Sequence, residues 1–230
     1  MRIEVLSLFP GYFRGPFDES IIKRAQEKGL LNITLVDIRE YSQERHRKVD
    51  DRPYGGGPGM VMMAPPVVQA VRARKTAGSK VVYLSPQGKI LTAAKCRELA
   101  TCEHLILLCG HYEGIDQRAL DSVVDEEISI GDYVLTNGCL AAIVLVDSVA
   151  RFIPGVLGHE ASAQEDSFEK GLLDCSHYTR PKVFEGKKVP QVLFSGDHKK
   201  IAQWRLRNAK KRTKEARPDL WGAYRKRRKR

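Results

Sequence analysis

The chain has 230 residues, of which 42% are hydrophobic and 29% charged, and this composition is typical of a globular protein with one or two domains. No stretch of eighteen apolar residues occurs, so the sequence predicts no membrane-spanning helix. Pro10-Gly11 interrupts the apolar start of the chain, and we therefore expect no export signal.

The five cysteines are odd in number and include no Cys-x-x-Cys pair. Four of them lie in or beside apolar segments, where a free cysteine packs as a small core residue: Cys96, Cys102, Cys109 and Cys139. A zinc site needs tighter clustering of histidine and cysteine, so we predict no metal site from these residues. Free thiols indicate a reducing compartment, and we expect a cytoplasmic protein.

The first half of the chain alternates between strand and helix patterns. A strand at Met1–Phe9 is followed by a helix at Asp18–Lys28 and a strand at Asn32–Ile38. The charged, aperiodic segment Arg39–Arg52 predicts a surface loop, and Pro65-Pro66 introduces a helix at Ala64–Lys75.

The alternation continues to Ile153. The pattern predicts a strand, a helix, a strand, a short helix, a strand and a long apolar helix, at Lys80–Leu84, Thr92–Thr101, His104–Cys109, Ala119–Val123, Glu127–Ile130 and Leu140–Ile153. Strands that alternate with helices predict an α/β fold with a mostly parallel sheet and helices on both faces.

The chain changes character after Gly158. We predict three regions: a main domain at 1–158, a flexible linker at 159–169 and a small basic domain at 170–230 that contains an Arg-rich helix at Ile201–Lys211. Lys199 to Arg230 holds fifteen Lys or Arg and two acidic residues, a formal charge of +13, whereas the other 198 residues carry 24 basic and 26 acidic groups. We expect the last six residues to form a disordered tail. With Trp204, Trp221 and Tyr224 among the charges, RNA is a better partner than a membrane surface.

Three glycine-containing turns follow predicted strands, which is where open α/β sheets bind ligands. They are Ser85-Pro86-Gln87-Gly88, Gly110-His111-Tyr112-Glu113-Gly114, and Gly131-Asp132-Tyr133 continuing to Gly138. None of them matches a dinucleotide fingerprint, and the segment Gly55–Gly59 lacks the Lys and Ser/Thr of a P-loop. One such turn alone is more often structural, but three in succession favour a ligand site.

The sequence strings YGGGPGMVM, YLSPQG, CGHYEGID, ISIGDYVLTNG, RFIPGVLGHEAS, EDSF and LLDCSHYTRP resemble those of the bacterial tRNA (guanine-N1)-methyltransferase family TrmD, over about residues 1 to 220 and in the family's order. The resemblance implies the SPOUT class, in which a mostly parallel sheet with helices on both faces has a C-terminal trefoil knot that cradles the cofactor, together with a small helical C-terminal domain. It also implies a homodimer that methylates N1 of guanine 37, beside the anticodon of tRNA, with S-adenosylmethionine as the methyl donor and with a requirement for Mg²⁺ whose ligands the sequence does not identify.

The same resemblance places S-adenosylmethionine in the three turns. The implied cofactor-binding residues are Leu84, Ser85, Pro86 and Gln87 in the first turn, Gly110, Tyr112, Glu113 and Gly114 in the second, and Ile130, Gly131, Tyr133, Leu135, Gly138 and Ala141 in and after the third. The family usually reads Gly-Gly-Glu-Leu-Pro where this chain has Asn137 to Ala141. Since asparagine tolerates a left-handed conformation, we expect Asn137 to preserve the turn.

For catalysis the resemblance implies that Asp166 is the general base and that Arg151 stabilises the charge on O6 of guanine. Methylation at N1 removes a ring proton and builds negative charge on O6, so a carboxylate and a cation suit these roles. From the residues alone, Asp166 could instead cap a helix and Arg151 could complement a helix dipole. The resemblance further implies that His177, Tyr178 and Arg180 contact tRNA.

Two other functions stay open at this point. The first is a SPOUT methyltransferase that acts on another RNA, against which the EDSF and HYTRP segments argue. The second is a non-catalytic RNA-binding relative, which the altered segment Asn137–Ala141 and the basic C-terminal region would suit.

Overall fold

The computed structural model describes residues 1–158 and 166–228. Residues 159–165, which belong to the predicted linker 159–169, and residues 229–230, at the end of the predicted tail, lie outside the described residues. The chain separates into two compact units, Met1–Glu160 and Ala161–Arg230. Among the described helices, none is long and apolar enough to span a bilayer.

The first unit alternates strands and helices. Its strands are β1 (Arg2–Ser7), β2 (Asn32–Asp37), β3 (Asp50–Asp51), β4 (Val61–Met62), β5 (Ser79–Ile90), β6 (His104–Cys109) and β7 (Glu126–Ser129). Its helices are α1 (Ser20–Glu27), α2 (Ala64–Arg74), α3 (Ala93–Leu99), α4 (Gln117–Val123) and α5 (Cys139–Ala150). Apart from β5, which extends six residues beyond its predicted end, each long element lies within a few residues of its predicted bounds. The short antiparallel pair of β3 and β4 was not predicted, because two residues are too few to leave a periodic pattern.

The main sheet has five parallel strands in the order β2-β1-β6-β5-β7. Side chains of β6 alternate between two cores: Leu105 and Leu107 pack with α1, α3 and α5, whereas Ile106 and Leu108 pack with α2 and α4. All four are fully buried, which explains why β6 reads as a continuous apolar run. The predicted α/β fold, a parallel sheet with helices on both faces, is therefore confirmed.

Strand β5 does not end at Leu84, where the sequence predicted a turn. Leu84 and Lys89 both pair with Ile128 of β7, so Ser85 to Gly88 bulge out of the strand and the strand then resumes. The bulge brings Gly88 against the backbone of β7, where an added Cβ would lie 2.6 Å from the carbonyl oxygen of Glu127. Gly88 is therefore a glycine because two backbones approach each other closely at this position.

The second unit is mainly helical. It contains the antiparallel pair β8 (Val183–Phe184) and β9 (Lys187–Lys188), a 3-10 turn at Gln191–Phe194, and the helices α6 (His198–Ala216) and α7 (Pro218–Arg227). Helix α6 extends the predicted Arg-rich helix at both ends, and Asp197 caps its start by accepting the amide of Lys200 at 3.0 Å. Loop residues before β8 are fixed on α6: the Leu173 amide donates to Thr213, which is fully buried, and the Ser176 amide donates to Asn208.

The predicted disordered tail is wrong for the residues that the structure describes, because α7 continues to Arg227. Pro218 occupies the first turn of α7, where its missing N–H costs no hydrogen bond. Charged side chains complement the helix dipole at both ends of α7: Asp219 in the first turn, and Arg225, Lys226 and Arg227 in the last turn. The cationic residues from Arg225 to Arg227 therefore form the last turn of a helix.

We expect Gly88→Ala to lower the free energy of unfolding by about 1–3 kcal/mol, because the new methyl group must displace the backbone of β7. Gly78→Ala is the matched control: it lies just before β5 and has no atom within 4 Å of an added Cβ. Urea denaturation of both variants measures the difference. Equal stability of the two variants would contradict the close packing of the bulge on β7.

Candidate active site

One cleft of the first unit opens at the bulge of β5 and at the carboxyl ends of β6 and β7, and the three predicted turns form its walls. Thirteen of the fourteen predicted cofactor residues line it: Leu84, Ser85, Pro86, Gly110, Tyr112, Glu113, Gly114, Ile130, Gly131, Tyr133, Leu135, Gly138 and Ala141. The exception is Gln87, whose side chain is not part of the lining; its amide instead donates to the Ser85 hydroxyl at 3.1 Å and tightens the bulge.

The second and third walls are joined through glycine backbone. The Gly138 amide donates to the Gly110 carbonyl at 2.9 Å. An added Cβ on Gly138 would lie 3.0 Å from the Cα of Cys109, closer than real Cβ atoms normally come. The start of α5 therefore reaches the end of β6 only because position 138 has no side chain.

Tyr83 lies beneath the second wall. An added Cβ on Gly110 would lie 2.9 Å from the Tyr83 hydroxyl, so this ring forms the floor under the turn. Burial raises the pKa of Tyr83 to about 12, and the neighbouring Glu127 carboxylate adds to the effect. Tyr83 therefore presents a neutral phenol to the cleft at physiological pH.

The turn that follows β6 is held by a glycine-rich segment from earlier in the chain. The Glu113 amide donates to the Met60 carbonyl at 3.0 Å, and the Glu113 side chain occupies the space beside Gly59, which has a φ of +79°. Tyr112 itself adopts a φ of +59°, and its ring lies edge-on to His111. Gly59, the last residue of the segment that resembled a phosphate loop only superficially, and the following Met60 thus support the second wall.

The expectation that Asn137 occupies a left-handed conformation is wrong, since Asn137 is not among the described residues with positive φ. Its side chain preserves the turn in a different way: Asn137 Oδ1 accepts the Cys139 amide at 2.8 Å and so satisfies one of the free amides at the start of α5.

Sequence reasoning missed several residues that also line the cleft: Tyr83, His111, Ile128, Ser129, Val134, Thr136 and Asn137. All of them stand in the three turns or at the ends of the strands that precede them. A prediction that counted every residue of each turn as cofactor-binding, and not only those with a counterpart in the family, would have found most of them. Ser129 also shapes the third wall, because its hydroxyl donates to the Gly131 carbonyl at 3.0 Å.

The two predicted catalytic residues belong to different units. Arg151 follows the last residue of α5 in the first unit, and its side chain is half-buried. Asp166 belongs to the second unit, where it lines a cleft against one side of α6 together with Lys170, Asp174 and Arg205. Ser167, the next residue, fixes this segment because its hydroxyl accepts the Asp174 amide at 2.9 Å.

The three predicted tRNA contacts all lie at the surface of the second unit. His177 is paired with Asp174, with 2.7 Å between Nε2 and the carboxylate, and the ring of Tyr178 lies 6.1 Å from that of Trp204 on α6. Arg180 is exposed. Exposed imidazole, aromatic and guanidinium groups are ones that contact phosphates and stack on bases in RNA complexes.

A family model described as tRNA (Guanine-1)-methyltransferase TrmD matches residues 1–223 of the chain. The chain belongs to this family. The similar proteins include a tRNA (guanine-N(1)-)-methyltransferase of Protochlamydia amoebophila, 69% identical over 220 residues, which cover 96% of this chain and 99% of the relative.

Two further relatives carry the same name. The protein of Chlamydia muridarum is 62% identical over 224 residues and that of Chlamydia pneumoniae is 59% identical over 224 residues, in each case with 97% of this chain covered. The chain spans 63% and 62% of the length of these two relatives, which are longer proteins.

The residues that could hold a metal ion do not fit Mg²⁺. In the described parts of the chain, the one group of three potential ligands is Asp174, Cys175 and His177, whose ligand atoms lie within 4.8 Å of one another. Magnesium prefers oxygen ligands in octahedral geometry, whereas a thiol and an imidazole suit softer transition metals. No step of the reaction is therefore assigned to Mg²⁺.

Proposed function

We propose that the chain transfers a methyl group from S-adenosylmethionine to N1 of guanine 37 in tRNA. The observation that carries this proposal is the convergence of three turns at one edge of a parallel sheet in a chain that belongs to the TrmD family over residues 1–223. The cofactor supplies an electrophilic methyl group on a sulfonium sulfur. Every other part of the reaction falls to side chains of this protein.

The cleft of the first unit suits S-adenosylmethionine for physical reasons. Four glycines and several short side chains line it beside tyrosine and histidine rings, a mixture of space and aromatic surface that suits an adenosine. Glu113 is the acidic side chain of the second wall and can attract a sulfonium cation. These features support the cofactor residues that the sequence predicted, with Gln87 shaping the bulge rather than touching the ligand.

Asp166 and Arg151 are the side chains that we assign to the chemistry. Asp166 accepts the proton that leaves N1 of guanine, and Arg151 donates hydrogen bonds to O6, where negative charge builds as the proton departs. The support is that Asp166 borders a cleft of the second unit beside the basic helix α6, where a nucleotide can reach its carboxylate.

The second unit is the part that we assign to tRNA binding. Its helices carry most of the cationic excess, and aromatic rings stand among the charges: Trp221 and Tyr224 stack with centroids 5.7 Å apart, and Lys210 and Arg228 lie about 6 Å from the ring of Tyr224. Phosphate contacts from Lys and Arg position such a protein on RNA, and rings offer stacking surfaces for bases.

We also propose a homodimer, a trefoil knot and a cytoplasmic location. A dimer is supported by apolar side chains that are exposed next to the cleft, among them Val134, Leu140 and Val144, which a second copy could cover. The knot is supported by the way in which Gly138 lies against Cys109 and Gly110. Five free cysteines suit a reducing compartment.

Replacement of Gly110 by valine should weaken S-adenosylmethionine binding at least tenfold, because the new side chain collides with the Tyr83 hydroxyl and fills the second wall. Isothermal titration without tRNA measures the affinity. Gly78→Val is the matched control, since an added Cβ at Gly78 meets nothing within 4 Å. Unchanged affinity in Gly110→Val would place the cofactor elsewhere.

Asp166→Asn should lower the single-turnover rate of methyl transfer by about 10²–10⁴-fold, which is the usual contribution of a general base. Affinity for S-adenosylmethionine should stay the same, because the carboxylate acts only on the transition state. Arg151→Ala should likewise lower the rate of methyl transfer and leave the affinity for S-adenosylmethionine unchanged.

The control for this experiment is Glu185→Gln, which neutralises an exposed carboxylate of the second unit in the turn between β8 and β9 and should leave the rate unchanged. A near-normal rate in Asp166→Asn would show that another group takes the proton.

Replacement of the six basic residues from Arg225 to Arg230 by glutamine should make tRNA binding less salt-dependent, while glutamine keeps the helix propensity of α7. Each phosphate contact that is lost removes roughly 0.9 from the slope of log affinity against log salt, and we expect a slope shallower by about one to four units. Filter binding over a range of KCl concentrations measures the slope.

The double variant Lys23→Gln, Lys28→Gln, within α1 and directly after it, is the control for loss of charge in the first unit and should leave the slope unchanged. If the glutamine variant of α7 also keeps the slope of the unaltered protein, the phosphate contacts come from α6 and the segment Arg39–Arg52 instead.

A further inference from the structure

Three different kinds of metal ligand meet in the loop that precedes β8 of the second unit. Asp174 offers a carboxylate oxygen, Cys175 a sulfur and His177 an imidazole nitrogen, and these three atoms lie within 4.8 Å of one another. Asp174 Oδ2 and His177 Nε2 are 2.7 Å apart. An ion placed among the three atoms can therefore contact all of them after small movements of the side chains.

The backbone of this loop is fixed, although it forms neither helix nor strand. Four consecutive amides, those of residues 173–176, donate in turn to side-chain oxygens of Thr213, Ser167, Asp174 and Asn208, at distances from 2.6 to 2.9 Å. Thr213 and Asn208 belong to α6, so the loop is held on the long helix of this unit. The backbone of the ligand residues is thus preorganised, which lowers the entropy cost of binding an ion.

The Asp174 carboxylate is oriented by a hydrogen bond that leaves one of its oxygens available. Its Oδ1 accepts the Cys175 amide at 2.6 Å, whereas its Oδ2 faces His177. Carboxylates that ligate metals are commonly hydrogen-bonded in this way by a group outside the coordination sphere, and the bond fixes the direction of the ligating oxygen. Oδ2 is therefore the oxygen that can bind an ion.

An ion can reach these ligands from the surface. Asp174 and Cys175 line the cleft of the second unit, in which Cys175 is 7% exposed, and the side chain of His177 is 76% exposed. The sulfur is thus shielded from bulk solvent but borders an open cleft. The exposed imidazole is free of close packing and can turn towards an arriving ion.

The charges of the ligands select a divalent cation. A Cys175 thiolate and the Asp174 carboxylate together carry two negative charges, which a divalent ion neutralises. Lys170 and Arg205 line the same cleft, and a neutral metal site adds no positive charge beside them. Sulfur and imidazole nitrogen favour a transition metal over Mg²⁺, which prefers oxygen ligands.

We propose that Asp174, Cys175 and His177 form a zinc-binding site in which water is the fourth ligand. Zinc takes one sulfur and nitrogen or oxygen ligands in tetrahedral geometry, with ligand atoms roughly 3.3–3.6 Å from one another. Asp174 Oδ2 and His177 Nε2, which are 2.7 Å apart, must therefore separate by roughly 0.6 Å, a movement that the exposed imidazole permits. The Cys175 thiol releases its proton to solvent when its sulfur binds the ion.

This site is independent of the proposed methyl transfer and is tested without S-adenosylmethionine. Because His177 is also a predicted tRNA contact, the test contains no tRNA either. The full chain, without a histidine tag and freed of metal by a chelator, is titrated with zinc chloride in a calorimeter and should bind one ion per chain. Co²⁺ in place of zinc should give a thiolate-to-cobalt charge-transfer band and the strong visible absorption of a tetrahedral site. A large excess of Mg²⁺ should remove neither signal.

Substitutions of the ligands should remove these signals. Cys175→Ser should abolish the charge-transfer band and weaken zinc binding at least tenfold, and His177→Ala should weaken zinc binding to a similar extent. Cys102→Ser and His46→Gln are the matched controls: they remove a partly exposed thiol and an exposed imidazole of the first unit, and should keep the zinc affinity and cobalt spectrum of the unaltered protein.

Absence of a one-to-one binding event in the unaltered chain would overturn the inference. So would a charge-transfer band that persists in Cys175→Ser, or an unchanged zinc affinity in His177→Ala, since Asp174 and His177 would then form only a surface ion pair. Because the side chain of His177 is exposed, His177→Ala decides the matter even if Cys175→Ser fails to fold. Failure of the proposed function is seen separately, as a lack of methylated tRNA.

Discussion

The hydrogen bond from the Gly138 amide to the Gly110 carbonyl joins the turn after β6 to the start of α5, and the cleft exists because these two segments touch without side chains between them. The same constraint applies at the bulge of β5, where Gly88 lies against the backbone of β7. A methyl group at either position would separate two segments that must meet. The positions of the three turns therefore depend on a few glycines more than on any polar contact with a ligand.

Around this constraint the sheet supplies rigidity. Parallel strands buried on both faces hold the three turns at one edge, and the residues that line the cleft come from the strand ends. Tyr83 lies under Gly110 at the floor of the cleft, and Gly59 and Met60 contact Glu113 of the second wall. The second unit is built differently: its loop before β8 is anchored on α6 through Thr213 and Asn208, and its charges remain at the surface.

Much of the fold and most of the cleft could be predicted from the sequence, and the exceptions have physical causes. Strand β6 was predictable to the residue because a fully buried parallel strand reads as an unbroken apolar run. The role of Asn137 was not predictable, because asparagine suits both a left-handed turn and a helix cap. The hydrogen bond from the Cys139 amide to Asn137 Oδ1 decides between the two. Helix α7 was missed because its cationic residues hide the apolar period, although Pro218 and Asp219 are ordinary signals of a helix start.

The central claim is that this chain methylates N1 of guanine 37, and analysis of the modified nucleoside tests it most directly. Unmodified tRNA with guanine at position 37 is incubated with the reduced protein and S-adenosylmethionine, then digested to nucleosides and separated by mass spectrometry, with the same tRNA carrying adenine at position 37 as the control. The account predicts 1-methylguanosine from the first tRNA and none from the second. A methyl group on a ribose or on another base would contradict it and indicate a methyltransferase with a different RNA target. Binding of both tRNA and cofactor without any methylated product would contradict it as well and indicate a non-catalytic relative.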